Sequence, residues 1–382
     1  MNLELTDEQQ ALRDAVRRFL ATQAPVAGYV RPLLDDRTGM SGSVWHDLAA
    51  LGATGLLVPE QQGGTGMTMV EAGIVAEELG RALHPGPWLS TAVAAARAHT
   101  RLGAPDAEDE VAKLLAGIAD GSTIATVALT ERDPEMSSTT SATARGGETV
   151  LTGEKIDVPD AAVATVMLVL AVDRDGPALF AVDTSSPGVD VTSQPGIDPT
   201  RRLFRVRLDG VPALRLGAAS GDHVQAVVDD VLVVWAADAL GAAQAVFELA
   251  VDYAKVRTQF GQPIGAFQAV QHLCVDMYET VELARGGVMH ALWAADHANP
   301  DERHLAAVRA KAFSGRLATV GDRAIQVFGG IGFTWEHDAH LYLRRLLGWS
   351  AFGGSPGPYL HELGAHLARS TSTMTPPVRS TG

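Results

Sequence analysis

The sequence predicts an α+β chain in three parts: helical first, β in the middle, helical again at the end. Two changes of hydrophobic period carry that prediction. Apolar residues recur at helical spacing up to about residue 120, alternate in short Val- and Thr-rich runs over 121–221, and return to helical spacing from 222. Size is the third observation. With 382 residues, 46% of them hydrophobic and 20% charged, the chain can build two or three layers around a generous core. The parts are placed at 1–120, 121–221 and 222–368, and the Ser/Thr/Pro-rich tail 369–382 is expected to be disordered.

Thr6-Asp-Glu-Gln9 has the form of a capping box, and Leu12, Val16, Phe19 and Leu20 give the next helix one apolar stripe. Further helices are expected over 43–51, 68–83, 89–102 and 108–119, with a loop at 52–66 and a stop at Pro85-Gly-Pro87. Strands are expected over 123–130, 138–145, 149–152, 163–172, 178–184 and 202–208, forming an antiparallel barrel or sandwich. The last part reads as helices over 224–256, 267–297, 302–328 and 338–347. Within the first of these, residues 233–256 are largely apolar and keep one side thin with Ala236, Ala237, Gly241, Ala242 and Ala243. It must be buried, with a neighbouring backbone close against it.

Composition excludes several classes of partner. A formal net charge of −15 argues against nucleic acid or an anionic membrane surface. The single cysteine, Cys274, rules out a disulfide framework within the chain and fits a reducing compartment. The acidic start has no apolar core of a signal peptide, and the longest apolar run, 161–172, is too short to span a bilayer. The expected location is cytoplasmic, without membrane association.

Two glycine-punctuated strings stand out. Between two long helical patterns lies Arg257-Thr-Gln-Phe-Gly-Gln-Pro-Ile-Gly-Ala-Phe-Gln268, in which Gly261, Pro263 and Gly265 break the chain. Arg257 and Gln268 therefore flank a rigid turn, a way to offer a guanidinium and an amide to phosphate oxygens. The plainer reading makes Arg257 a solvated cation at a helix end. The second string is Gln326-Val-Phe-Gly-Gly-Ile-Gly332, where Gly329 can stop a helix and Gly332 leaves backbone open to a phosphate-containing ligand.

Both strings resemble the flavin-binding signatures of the acyl-CoA dehydrogenase family. Leu57-Val-Pro-Glu-Gln-Gln-Gly-Gly-Thr-Gly66 and Glu77-Glu-Leu-Gly-Arg81 extend the likeness over nearly the whole chain. The resemblance implies an N-terminal helical domain, a middle β-barrel domain and a C-terminal four-helix bundle. It also implies FAD as cofactor, an acyl-CoA substrate and an electron-transfer flavoprotein as electron acceptor. Arg257, Phe260, Gln268, Gln326, Gly329 and Gly330 carry over as residues that hold the adenosine end of an FAD bound chiefly by a neighbouring subunit.

Where the chemistry should lie the likeness is poorer. Leu129-Thr-Glu131 survives from the family's flavin-ring motif, but Arg132-Asp-Pro-Glu-Met-Ser-Ser138 does not match. Lys155-Ile-Asp157-Val-Pro159 stands where the family has a ring-packing Trp-Ile-Thr. Dehydrogenation of a thioester needs a carboxylate within reach of the α-proton. The family places a glutamate at one of two positions, and these are Gly353 and Val231 here, with Leu232 for an expected Arg. No catalytic residue carries over. Asp238, an acid in an apolar helix, is an outside candidate, while Asp229 and Asp230 read as acids in a helix's first turns. His337 and Asp338 read as a surface loop, and the histidines show no metal-ligand spacing with the cysteine, so no metal is expected.

The resemblance is nearest to the base-lacking subunits of heteromeric actinobacterial dehydrogenases of steroid side-chain CoA thioesters. It implies a non-catalytic subunit that completes the FAD site of a homologous, glutamate-bearing partner in a heterotetramer. Two alternatives stay open: a homo-oligomeric active dehydrogenase with a displaced base, Asp238 or Glu336, and a flavin-free acyl-CoA-binding or scaffold protein.

Overall fold

The computed structural model describes residues 4–101, 107–131 and 139–372. The first helical part holds α1 (Asp7–Gln23), α2 (Gly42–Ala50), α3 (Met69–Arg81), α4 (Ala96–Arg101) and α5 (Glu108–Ala119). The capping box at Thr6 is formed: its backbone N–H donates to Gln9 Oε1 at 3.0 Å, and Gln9 N–H donates to Thr6 Oγ1 at 3.2 Å. One expectation fails in detail. Residues 89–102 do not make one α-helix, because Leu89–Ala95 winds as a π-helix before α4 begins. Ser90 and Thr91 in that turn are tied sideways, to Asp160 at 2.6 Å and to the Ala125 carbonyl at 2.8 Å, and such insertions widen a helix.

The middle part holds β1 (Ala125–Ala128), β2 (Ser141–Arg145), β3 (Glu148–Pro159), β4 (Val166–Asp173), β5 (Gly176–Asp183), β6 (Val189–Gln194), β7 (Leu203–Pro212) and β8 (Leu214–Ala218). They form one network in the order β6-β7-β3-β2-β4-β5-β8, with β1 parallel to β4. Leu151, Met167, Phe180, Phe204 and Val206 gather in its interior. The expected barrel is therefore an open one, ending at β6 and β8. β3 runs well past the predicted 149–152, bending through irregularities after Leu151 and Lys155. β6 and β8 give little signal in the sequence; β6 has no buried residue at all.

The third part holds α6 (Gly221–Val256), α7 (Gln268–His297), α8 (Pro300–Ala312), α9 (Ser314–Phe328), α10 (Ala339–Ala351) and α11 (Pro356–Ser372). The helix expected over 302–328 breaks at Phe313 into α8 and α9; just beyond it, Gly315 lets Pro356 at the head of α11 approach to 3.2 Å of where a Cβ would stand. The disorder expected from 369 is corrected too: α11 continues to Ser372, and only 373–382 of that tail lies outside the described residues. No helix among the described residues is long and apolar enough to cross a membrane.

α6 is the axis of the molecule, with α7, α8, α9 and α10 packed on it. Its thin side meets α3. A Cβ added to Gly241 would lie 1.8 Å from the Glu77 carbonyl oxygen, and one added to Gly80 would lie 1.8 Å from that of Asp238. The two helices touch backbone to backbone, which only glycine permits at these positions.

Candidate functional site

The first glycine string closes the end of α6. Arg257 caps the helix, its N–H donating to the Tyr253 carbonyl at 2.9 Å. β9 (Thr258–Gln259) and β10 (Gln262–Pro263) then make a tight hairpin, with Phe260 at φ +54° and Gly261 at φ +80°. A left-handed phenylalanine is costly, and such strain gathers at functional sites. Phe260 is 92% exposed, and its ring stands edge-on to Phe267 at 6.0 Å. Gln268 opens α7 and is exposed.

The second string ends α9, and the fold brings it beside the first. Tyr253 in the last turn of α6 and Phe328 at the end of α9 pack with ring centroids 5.0 Å apart. Gln326, Gly329 and Gly330 are exposed, with Gly329 at φ +66° and Gln326 donating to Asp322 at 3.1 Å. Among the described residues the Arg257 side chain has no hydrogen bond or ion pair. Val256 beside it in the chain, and Phe333 and Trp335 after the second string, are large and exposed. An unspent guanidinium, two amides and open glycine backbone fit an anionic, phosphate-containing ligand held against a second surface.

A separate cleft of about 300 Å³ lies between the sheet and the third part. Gly353 stands in its wall at φ +67°. A Cβ there would meet Leu232 Cδ2 at 3.1 Å and the Tyr359 hydroxyl at 3.7 Å. Of the two expected base positions, Gly353 lines the cleft while Val231 precedes on α6 the Leu232 that Gly353 faces, and no carboxylate stands at either. Two contacts hold the turn. Tyr359 donates its hydroxyl to the Gly353 carbonyl at 2.6 Å. Lys311, wholly buried, donates to the carbonyls of Trp349 at 2.7 Å and Ser350 at 3.1 Å, and burial pushes its pKa down to about 7.

Trp235 and Phe352 form the cleft's aromatic wall, face to face at 3.9 Å and 3°. The Arg201 guanidinium caps the indole at 5.3 Å. On the sheet side Asp157 sits at φ +53°; its N–H donates to Gln194 Oε1 at 2.8 Å. Trp235, Arg201 and Gln194 were not legible as site residues, because they come from three distant segments; a lone tryptophan in a helix of small residues was the one available signal.

Asp238 does not face the cleft. It accepts from Arg345 Nε at 2.8 Å and Nη2 at 2.9 Å, and from Arg201 Nη2 at 2.5 Å. Its oxygens are thus turned to two guanidiniums and not to the cleft. Asp229 and Asp230 are not in the first turn of α6, as the sequence suggested, because the helix starts eight residues earlier, at Gly221. Both are buried. Asp230 pairs with Arg97 and Arg101, and Asp229 accepts from His304 at 2.9 Å. His304 also reaches Glu362 on α11 at 2.9 Å, and the Asp229 hydrogen bond leads in raising its pKa to about 9. Glu336 is exposed, away from the cleft lining, and Asp338 pairs with Arg31 at 2.7 Å. The unmatched string 132–138 lies outside the described residues. Among those described, no cluster of side chains suits a metal ion.

Tested against FAD, the two regions differ. The Arg257 surface offers donors and backbone suited to the adenosine and phosphate end. The cleft offers no stacking tryptophan or hydroxyl from β3, where Asp157 and Pro159 stand instead.

Comparison with known proteins agrees with the architecture. Residues 6–121, 126–209 and 233–358 match the N-terminal, middle and C-terminal domains of acyl-CoA dehydrogenase. Acyl-CoA dehydrogenase IpdE2 of Mycobacterium tuberculosis is 33% identical, over 94% of this chain and 96% of its own length. A variant of the Tcur3481-Tcur3483 steroid ACAD superposes with a TM-score of 0.85 at 30% identity, over 96% of this chain and 99% of that one. The ChsE4-ChsE5 complex of Mycobacterium tuberculosis gives 0.86 at 25% identity, over 98% and 100%. Members of this family typically bind FAD. The chain belongs to the acyl-CoA dehydrogenase family.

Proposed function

We propose that the chain is the non-catalytic subunit of a heteromeric, FAD-dependent acyl-CoA dehydrogenase acting on a steroid side-chain CoA thioester. One observation carries the reading: neither position at which the resemblance puts a glutamate holds a carboxylate, Gly353 standing in the cleft wall and Val231 on α6 next to Leu232. The acids offered as displaced bases are spent elsewhere, Asp238 on two guanidiniums and Glu336 in solvent. The likeness to a steroid ACAD and to the ChsE4-ChsE5 complex supports the substrate class and the heteromeric assembly.

In this reading the Arg257 surface does the chain's work. FAD, when bound, supplies the hydride acceptor for α,β-dehydrogenation. Arg257 pairs with its phosphate oxygens, Gln268 and Gln326 donate side-chain amides, and Gly329 and Gly330 let the backbone come close. The exposed Phe260, Phe333 and Trp335 are covered by the partner subunit, which brings the glutamate and the ring-packing strand. Electrons leave to an electron-transfer flavoprotein, and the assembly works in the cytoplasm.

Flavin stoichiometry tests this. The chain purified alone should carry almost no flavin absorbance, and co-expression with a homologous glutamate-bearing subunit should give yellow protein with fewer than one FAD per chain. One tightly bound FAD per chain in the protein purified alone would overturn the proposal in favour of a homo-oligomeric enzyme.

A further inference from the structure

We propose that α11 is a detachable strap: it comes away from the rest of the chain as a unit, and while latched it fixes the Gly353 turn that holds Phe352 against Trp235. The inference stands on this chain's own contacts and not on the subunit role proposed above.

Three features make α11 separable. A helix of 17 residues is marginal in water without a buried face, and α11 buries none of its described residues. It packs mainly against one element, α8. Among its described residues only Tyr359 packs on the main apolar core, while Leu360 and Leu367 are more than half exposed. The chain before it is able to pivot. Gly353 and Gly354 take φ of +67° and +98°, and Ser355 joins them to Pro356. The end of α10 is pinned by contrast, since Lys311 holds the carbonyls of Trp349 and Ser350, so the pivot lies over 352–356.

Two polar ties close the strap. The Tyr359 hydroxyl donates to the Gly353 carbonyl at 2.6 Å, and Glu362, three residues on, meets His304 Nε2 at 2.9 Å. His304 is anchored in turn on the buried Asp229 of α6, so this latch reaches the axis of the molecule through one imidazole. The His304 and Glu362 side chains are 32% and 48% exposed, and water competes for their contact.

The Tyr359 tie gives the strap its consequence. The carbonyl it holds follows Phe352, whose ring stacks on Trp235 at 3.9 Å in the cleft wall. Without Tyr359 the turn keeps only short-range backbone bonds, from Phe352 N–H to the Gly348 carbonyl at 2.9 Å and from Gly354 N–H to that of Ala351 at 3.1 Å. Unlatching α11 therefore frees the Phe352 ring from the indole and reshapes that wall with α6 and the sheet in place.

Hydrogen exchange of the full-length chain, read by mass spectrometry, tests the strap. Peptides within 359–369 should exchange at least about a hundredfold faster than those of α6, because they open without global unfolding. Tyr359→Phe and Glu362→Ala should each speed that exchange about three- to tenfold, and together more than either, with α6 and α8 peptides unchanged. Both sites lie at the surface, so both variants keep the fold. Acrylamide quenching of Trp235, taken as the difference between each protein and its Trp235→Phe counterpart, should rise in the doubly substituted chain. The proposal is overturned if α11 exchanges as slowly as α6, or if removing both ties leaves its exchange unchanged. It is overturned equally if α6 and α8 speed up in step with α11, or if α11 loosens while Trp235 stays as shielded as in the parent.

Discussion

Asp238→Asn separates a structural acid from a catalytic one. The carboxylate is 4% exposed and accepts three charge-assisted hydrogen bonds from Arg345 and Arg201. Asparagine keeps the shape but removes the charge, and one of its two ends becomes a donor facing a guanidinium. The nearest remaining carboxylate, Asp198, is 3.7 Å from Arg345 Nη1 and already accepts from Thr200. Breaking a buried pair from one side costs roughly 3–5 kcal/mol. For a large chain each kcal/mol is worth about 2 °C. The melting temperature in a calorimetric scan should therefore fall by on the order of 5–10 °C. A variant that melts within about 1 °C of the parent, yet abolishes dye reduction by the assembled enzyme, would refute this reasoning and make Asp238 the base.

Arg257→Ala should remove a charge-assisted contact pair worth on the order of 2–3 kcal/mol, lowering FAD occupancy of the assembled protein while far-UV circular dichroism persists; unchanged affinity would return Arg257 to a solvated helix end. Gly353→Glu places a side chain at φ +67° against Leu232, a conformation costing about 1–2 kcal/mol, and should give no dye reduction with acyl-CoA by the chain alone. Rescue by about a hundredfold or more would mean that only the base was lacking. The His304 clamp predicts a pH dependence. Its folded pKa is raised, to about 9 from 6.5, so its contribution is full below pH 6.5 and is lost as pH rises through 9. Melting temperatures at pH 6 and pH 9.5 should differ more for the parent than for His304→Gln; equal differences would deny the clamp.

Much of the architecture was legible because it rests on local pattern. The Thr6 box and the thin side of α6 both do what their residues suggest. What escaped has physical reasons. β6 buries nothing, so it lacks an alternating signature, and α11 has no buried residue among those described, so its sequence reads like the polar tail that follows it. The site divides the same way. Arg257 to Gln268 is one contiguous string and could be found by inspection. The cleft joins Asp157, Arg201, Trp235 and Phe352 from segments far apart in the chain, and no local pattern encodes such a meeting.

The glycine contact between α3 and α6 has a mechanical consequence. With Gly80 pressed against the Asp238 carbonyl and Gly241 against that of Glu77, the first and third parts share one solid beam. A bulkier residue at either glycine would wedge the beam apart, and a fragment cut near residue 120 would lose the wall against which α6 rests. The sheet hangs from that beam through Ser90 to Asp160, Thr91 to Ala125, and Arg345 to Thr200. If the cleft opens to admit a ligand, the part that swings is the sheet.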